Sequence, residues 1–390
     1  MQTVALIYCN AGGGHRAAAQ ALQAAIQEEG RPWRVELVNL FEVLDPQSRL
    51  RKLTGLAPED FYNQRLKRGW TLGMAQELKL LQGLIRLSHA SLLKTLQQHW
   101  AATEPDLVVS LVPNFNRVLQ RSVASSLPGV PFVTVMTDLA DLPPSFWVDP
   151  GLQQHIVCGT PRALEQARAQ GYPDEQLSLV SGMMLRPDFH RPPLEPAARA
   201  VLRLGHGLPA EAPVGVVSFG GQGSQVMVNI ARQLPALPLI LMCGHNERLA
   251  ERLRRLPAEA PRLVLGFTPE VPRVLALGDF FIGKPGPGSL SEAVQMGLPV
   301  LTVRNAWTMP QERFNTEWVR ELGIGHVLPG FRRMQPAVQA LLDELPELKT
   351  RVGRVRNRAV YEVTALLARQ LADAQDERPP MHTLDLLEAR

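Results

Sequence analysis

Cysteine and long apolar runs are scarce in this 390-residue chain, and each shortage removes a class of protein. The three cysteines, Cys9, Cys158 and Cys243, lie in or beside apolar stretches with no metal-ligand spacing. That pattern suits reduced, buried thiols, not a disulfide framework or a zinc site. No apolar run approaches the roughly 18 to 20 residues needed to cross a bilayer. The opening "MQTVALIYCNAGGGH" has no basic leader, and its apolar run stops at glycines, so neither a signal peptide nor a spanning helix is expected there. The first glycine loop, Gly12 to Gly14, is not followed by Lys-Ser/Thr, which excludes a Walker loop, and it lacks the spacing of the dinucleotide fingerprint. What remains is a cytoplasmic globular chain, 45% hydrophobic and 20% charged, long enough for two packed domains.

Apolar runs rich in Val, Ile and Leu alternate with helical patterns, as in parallel sheets covered on both faces. Strands are expected at Val4–Cys9, Arg34–Asn39, Leu107–Leu111, Phe132–Thr137, His155–Cys158 and Leu177–Val180. A second series runs Val214–Phe219, Leu239–Cys243, Arg262–Leu265, Phe280–Ile282 and Val300–Val303. Between them, Pro187, Pro192, Pro193 and Pro196 mark a linker. The fold class is therefore α/β, with two doubly wound domains, 1–191 and 192–372, facing across a cleft. A final helical pattern over 348–371 has no strand partner and is expected to cross back over the cleft, leaving 373–390 as a tail.

Three glycine turns precede helices. Gly12, Gly13 and Gly14 follow the first strand and open a helix near His15; Gly220 to Ser224, including Gly221, repeats the arrangement; Gly286, Gly288 and Ser289 form the third, with Glu292 one turn on. Glycines admit close backbone approach, and helix-start amides favour negative charge. Such turns suit a diphosphate, and a carboxylate at Glu292 suits the two hydroxyls of a ribose. "SLSE" also reads as a capping box with Ser289 as N-cap. His15, at a helix start, is expected to stay neutral and able to take a proton. Asp138 ends a strand, where a catalytic carboxylate or a turn cap would sit.

The stretches "NAGGGHRAAAQAL", "TDLADLPPSFW", "SGMMLRPDF", "MCGHN", "GFTPEVPRVLALGDFFIGKPGPGSLSEAVQMGLPVL" and "PQERFN" together resemble the monogalactosyldiacylglycerol synthase and processive diacylglycerol glucosyltransferase family, relatives of the bacterial peptidoglycan N-acetylglucosaminyltransferase. The resemblance implies the two-Rossmann-domain (GT-B) glycosyltransferase fold and an inverting transfer from a UDP-sugar, without a bound metal or resident cofactor. The absence of a strand-end Asp-x-Asp pair agrees with that. Carried onto this chain, it implies donor contacts from Gly13, Gly14, Gly221, Ser224, Asn246, Gly286, Gly288 and Ser289, with Glu292 on the ribose. Uracil would meet the backbone around Phe267, Thr268 and Val271, and the sugar hydroxyls Gln311 and Glu312. His15 and Asp138 are the catalytic candidates. Two departures stand out: Pro143 where the family often has histidine, and Pro310 where it has glycine before the sugar-reading pair. The sugar is not inherited from the family.

Residues 49–94 hold nine Lys or Arg against three acids, in a chain whose formal charge is +4. Arg65, Lys67, Arg68 and Trp70 lie in this segment, followed by Met74, Leu78, Leu81 and Ile85 at helical spacing. A basic, amphipathic region with a tryptophan suits an anionic membrane surface. A solvated basic face over core leucines gives the same pattern, and no nucleic-acid module accompanies it. With a lipid hydroxyl as acceptor, most simply diacylglycerol, the expected enzyme is peripheral on the inner face of the cell membrane. Another acceptor, a UDP-sugar epimerase of the same fold and a non-catalytic nucleotide-sugar or lipid sensor stay open.

Overall fold

The structure is a computed structural model and describes residues 1–10, 13–45, 74–142 and 144–376. Among the described residues, twelve strands form two all-parallel six-stranded sheets. The first comprises β1 (Gln2–Tyr8), β2 (Trp33–Asn39), β3 (Leu107–Ser110), β4 (Phe132–Val135), β5 (His155–Cys158) and β6 (Leu177–Leu179), in the order β2-β1-β3-β4-β5-β6. The second comprises β7 (Gly215–Ser218), β8 (Leu239–Met242), β9 (Arg262–Leu265), β10 (Phe280–Gly283), β11 (Val300–Val303) and β12 (Gly325–Leu328), in the order β12-β11-β10-β7-β8-β9. All eleven expected strands are present. β12 was not expected, because "GHVL" is a half-buried edge strand whose Gly and His interrupt any apolar run.

Side chains alternate between the two faces with the period of a strand. Val4 and Leu6 of β1 join one core, and Ala5 and Ile7 join the other. In β10, Phe280 and Ile282 face one way and Phe281 the other. Both sheets are therefore covered on both sides, which places their exposed chemistry at strand ends. The strand order reverses between β1 and β3 and between β7 and β10, the places where open α/β sheets bind ligands.

The expected helix over 348–371 is two helices, Leu345–Val352 and Ala359–Asp376, interrupted at 353–358. The second returns to the first sheet, where Val360, Val363, Leu367 and Leu371 pack in the same core as Val4 and Leu22. The outgoing crossing is tied to the returning one. Asn357 Nδ2 donates to the Met183 carbonyl at 2.8 Å, and the Ser181 amide to Glu362 at 2.7 Å. Leu185 and Phe189 already pack in the second core, so the chain enters that domain ahead of residue 192.

Candidate active site

The loops at the carboxyl ends of both sheets enclose one cavity of about 2380 Å³ between the domains. Gly13, Gly14, His15 and Asp138 line it from the first domain. Gly221, Ser224, Phe267, Thr268, Val271, Gly286, Gly288, Ser289, Glu292, Gln311 and Glu312 line it from the second. Asn246 does not line it: its Oδ1 accepts from the Leu249 amide at 3.1 Å, capping the helix Glu247–Arg254, and its Nδ2 donates to the Gln222 carbonyl. Through these two bonds it joins the helix start to the glycine turn. Arg65, Lys67, Arg68, Trp70 and Pro143 lie outside the described residues.

The glycines serve two purposes. Gly244 has φ +57, and a Cβ on it would strike the Gly221 carbonyl, so these loops are glycine because two backbones touch. A Cβ on Gly13, Gly14, Gly221 or Gly288 would meet nothing within 4 Å, so those glycines leave open space on the cavity side.

The third turn is braced on both flanks. Thr302 Oγ1 donates to the Gly283 carbonyl at 2.9 Å, and Asn315 Nδ2 donates to the Pro285 carbonyl at 2.7 Å. The helix that follows is Pro287–Gln295, with Gly286 as N-cap and no side-chain cap. The capping-box reading of Ser289 is therefore overturned: Ser289 lies inside the helix, and Gly288 and Ser289, in its uncapped first turn, line the cavity. Burial raises the Glu292 carboxyl to about 7, opposed by the charge of Arg186 and reinforced by that of Asp188. Nearby, Arg186 donates to the Pro269 carbonyl at 2.8 Å, and the rings of His245 and Phe267 stack at 4.1 Å.

On the first domain, Asp138 is buried and accepts from Trp147 Nε1 at 2.9 Å. It is not a turn cap; Asp141 has that task, accepting from the amides of Leu142 and Trp147. Desolvation raises the Asp138 carboxyl to about 7; the Trp147 bond opposes the shift, and the charge of Glu312 across the cleft adds to it. His15 Nδ1 is 3.0 Å from Thr137 Oγ1, and its ring lies 6.0 Å from that of Trp147. Loss of water lowers His15 to about 4, against a hydrogen bond to the Leu111 backbone, so it is neutral at pH 7. Trp147 thus joins the two candidate residues. It stands in a motif already noted, but its role depends on a loop closure that spacing does not reveal.

The helix Met74–Leu87 also reaches the cavity. Gln82 holds it down through Asn114 Oδ1 at 3.0 Å and the Pro144 carbonyl. Leu78, Leu80, Leu81 and Leu84 line the cavity, and Leu80, Leu81 and Leu84 are exposed. No described helix is long and apolar enough to cross a membrane.

Residues 15–182 match the monogalactosyldiacylglycerol (MGDG) synthase family. The resemblance read from the motifs is borne out. The chain is 27% identical over 344 residues to the chloroplastic MGDG synthase of Spinacia oleracea, covering 83% of this chain and 63% of that protein. Identity to MGDG synthase 1 of Arabidopsis thaliana is 27% over 341 residues, covering 83% and 61%. The chain thus spans less than two thirds of the length of these MGDG synthases. Among solved structures, MurG of Acinetobacter baumannii superposes with a TM-score of 0.59 at 13% identity, covering 95% of this chain and all of that one. The spinosyn rhamnosyltransferase SpnG, in complex with thymidine diphosphate, gives 0.56 at 15% identity, covering 94% and 100%. The fold is that of the two-domain GT-B glycosyltransferases, as the MGDG synthase resemblance implied.

Proposed function

We propose that this chain is an inverting glycosyltransferase of the MGDG synthase type that moves a hexose from a UDP-sugar to a lipid hydroxyl, most simply that of diacylglycerol. The observation that carries the reading is the composition of one cavity. Gly288 and Ser289 at an uncapped helix start and the half-buried Glu292 line it from the second domain, and Asp138, His15 and the exposed Leu80, Leu81 and Leu84 line it from the first. The first set suits a nucleoside diphosphate and the leucines an acyl chain. The names of its relatives point the same way.

Asp138 takes the acceptor's hydroxyl proton, since a carboxyl titrating near 7 is matched to work at neutral pH, while His15 at about 4 is a weak base. The hydroxyl oxygen attacks the anomeric carbon from the side opposite the diphosphate. The glycosidic C–O electrons leave on the β-phosphate, which the amides of Gly288 and Ser289 receive. Glu292 holds the ribose, and no resident cofactor takes part. The enzyme works at the cytoplasmic face of a membrane, with the basic segment around Arg65, Lys67, Arg68 and Trp70 docking to anionic lipid.

The test is incubation of the purified protein with UDP-hexoses and anionic vesicles containing diacylglycerol, with products identified by mass. A hexosyl diacylglycerol supports the reading. Interconversion of UDP-hexoses without acceptor, or UDP binding with no turnover, refutes it. Vesicle binding that is lost at high salt supports docking by the basic segment, and retention unchanged by salt counts against it.

A further inference from the structure

We infer that Lys284 supplies the positive charge that meets the departing diphosphate, and that Glu312 holds its ammonium in place. This rests on the donor-site reading above and changes it in one respect: peptide amides are not the whole of the anion site.

Lys284 directly follows β10 at the switch point of the second sheet. Its Nζ donates to Glu312 Oε1 at 2.7 Å. A Cβ built on Gly286, the N-cap, would lie 3.4 Å from Lys284 Cε and 3.7 Å from Nζ, so the ammonium sits beside the mouth of the uncapped helix. The two carbonyls flanking Lys284, those of Gly283 and Pro285, are tied by Thr302 and Asn315, so the lysine projects from a fixed turn.

Glu312 has 6% of its side chain exposed and Lys284 has 36%, and both line the cavity. An ammonium has three donors; one goes to Glu312, leaving two for phosphate oxygens. Arg186, another cation on this wall, is already committed to the Pro269 carbonyl and to Asp188 at 3.2 Å. Lys284 transfers no proton. The anomeric C–O bond breaks with its electron pair on the β-phosphate oxygen, and the lysine N–H groups donate to the charge that develops. Glu312 then has Oε2 left for a sugar hydroxyl, which couples sugar recognition to placement of the cation.

The experiment is calorimetric titration of the full chain with uridine, UMP and UDP, comparing wild type with Lys284→Met, Lys284→Arg and the double variant Lys284→Met/Glu312→Gln, which leaves no unpaired carboxylate. Both methionine variants should bind uridine as wild type does, yet lose UDP affinity on the order of tenfold or more. Lys284→Arg should keep most of it. UDP affinity unchanged in Lys284→Met, or uridine and UDP weakened alike, overturns the assignment. A wild type that binds neither uridine nor UDP overturns the donor-site reading itself, and the assignment with it.

Discussion

The indole of Trp147 donates to Asp138 Oδ2 at 2.9 Å, and the same ring lies 6.0 Å from that of His15. One aromatic side chain therefore orients the Asp138 carboxylate and bears on its charge state. Its hydrogen bond favours the ionised form, against the desolvation that raises Asp138 to about 7.

Trp147→Phe should move the ascending limb of kcat/KM from near pH 7 upward by about one unit, because the bond lost is made chiefly to the anion. A pH–rate profile on both proteins checks this. A limb near 4 that ignores Trp147→Phe would assign the base to His15 instead.

Asp138→Asn should abolish transfer and yet raise the melting temperature at pH 8. A carboxyl whose folded value lies above its unfolded one binds more protons when folded. Stability then falls as pH rises from about 4 to about 7, and above 7 the full penalty of a buried charge is present. The neutral amide removes that penalty and can still accept from Trp147. Thermal melts at pH 5 and pH 8 should therefore differ more for the wild type than for the variant.

Glu292 should make nucleoside binding pH-dependent. The ionised carboxyl accepts from the ribose hydroxyls more strongly than the protonated one, and burial places its titration near 7. Uridine, which carries no phosphate to titrate, should bind more weakly as pH falls through about 7 in the wild type. Binding to Glu292→Gln should be weaker and flat over that range. Glu292→Ala should cost on the order of tenfold or more in uridine and UDP affinity. Unchanged affinity would remove the ribose assignment.

What the sequence reveals follows from burial and distance along the chain. Central strands such as β8 and β10, covered on both faces, leave continuous apolar runs, whereas the half-buried edge strand β12 leaves none. The break at 353–358 is hidden because "GRVRNR" continues a helical-looking stretch, and it is the return crossing between domains that ends the helix. The glycine turns are legible because their backbone demands are local. The contacts of Trp147 and Lys284 are not, because each is made with a residue that folding brings alongside, Asp138 and Glu312. The helix cap made by Asn246 is legible as well, since Asn just before "ERLAERLR" is an ordinary helix-start signal.

Away from the cleft, Asp279 gathers Arg199 at 2.9 Å, Arg203 at 2.5 Å and Lys349 at 2.7 Å. Burial opposes its ionisation, but these cations and the Val214 amide hold its carboxyl well below the usual range. Arg203 is 1% exposed, so Asp279→Asn should cost about 3–5 kcal/mol by leaving that guanidinium without a counter-charge. With its folded value depressed, the stabilisation is present above the unfolded value near 4 and is lost as pH falls below it. Urea unfolding at pH 7 and pH 3 checks both statements.

Leu80 and Leu84 line the cavity from the helix Met74–Leu87. Both are exposed, at 65% and 53%, on a helix that Gln82 pins to the first domain. Replacing exposed leucines removes little packing, so Leu80→Ser/Leu84→Ser should leave stability within about 0.5 kcal/mol per site. Water-exposed apolar area is costly unless something apolar covers it, and an acyl chain is what the proposed acceptor brings. The double variant should therefore raise the KM for a lipid acceptor severalfold while UDP affinity stays at the wild-type value. Equal loss on both substrates would mean that the helix supports the whole cleft, and no loss on either would mean that the acceptor enters elsewhere.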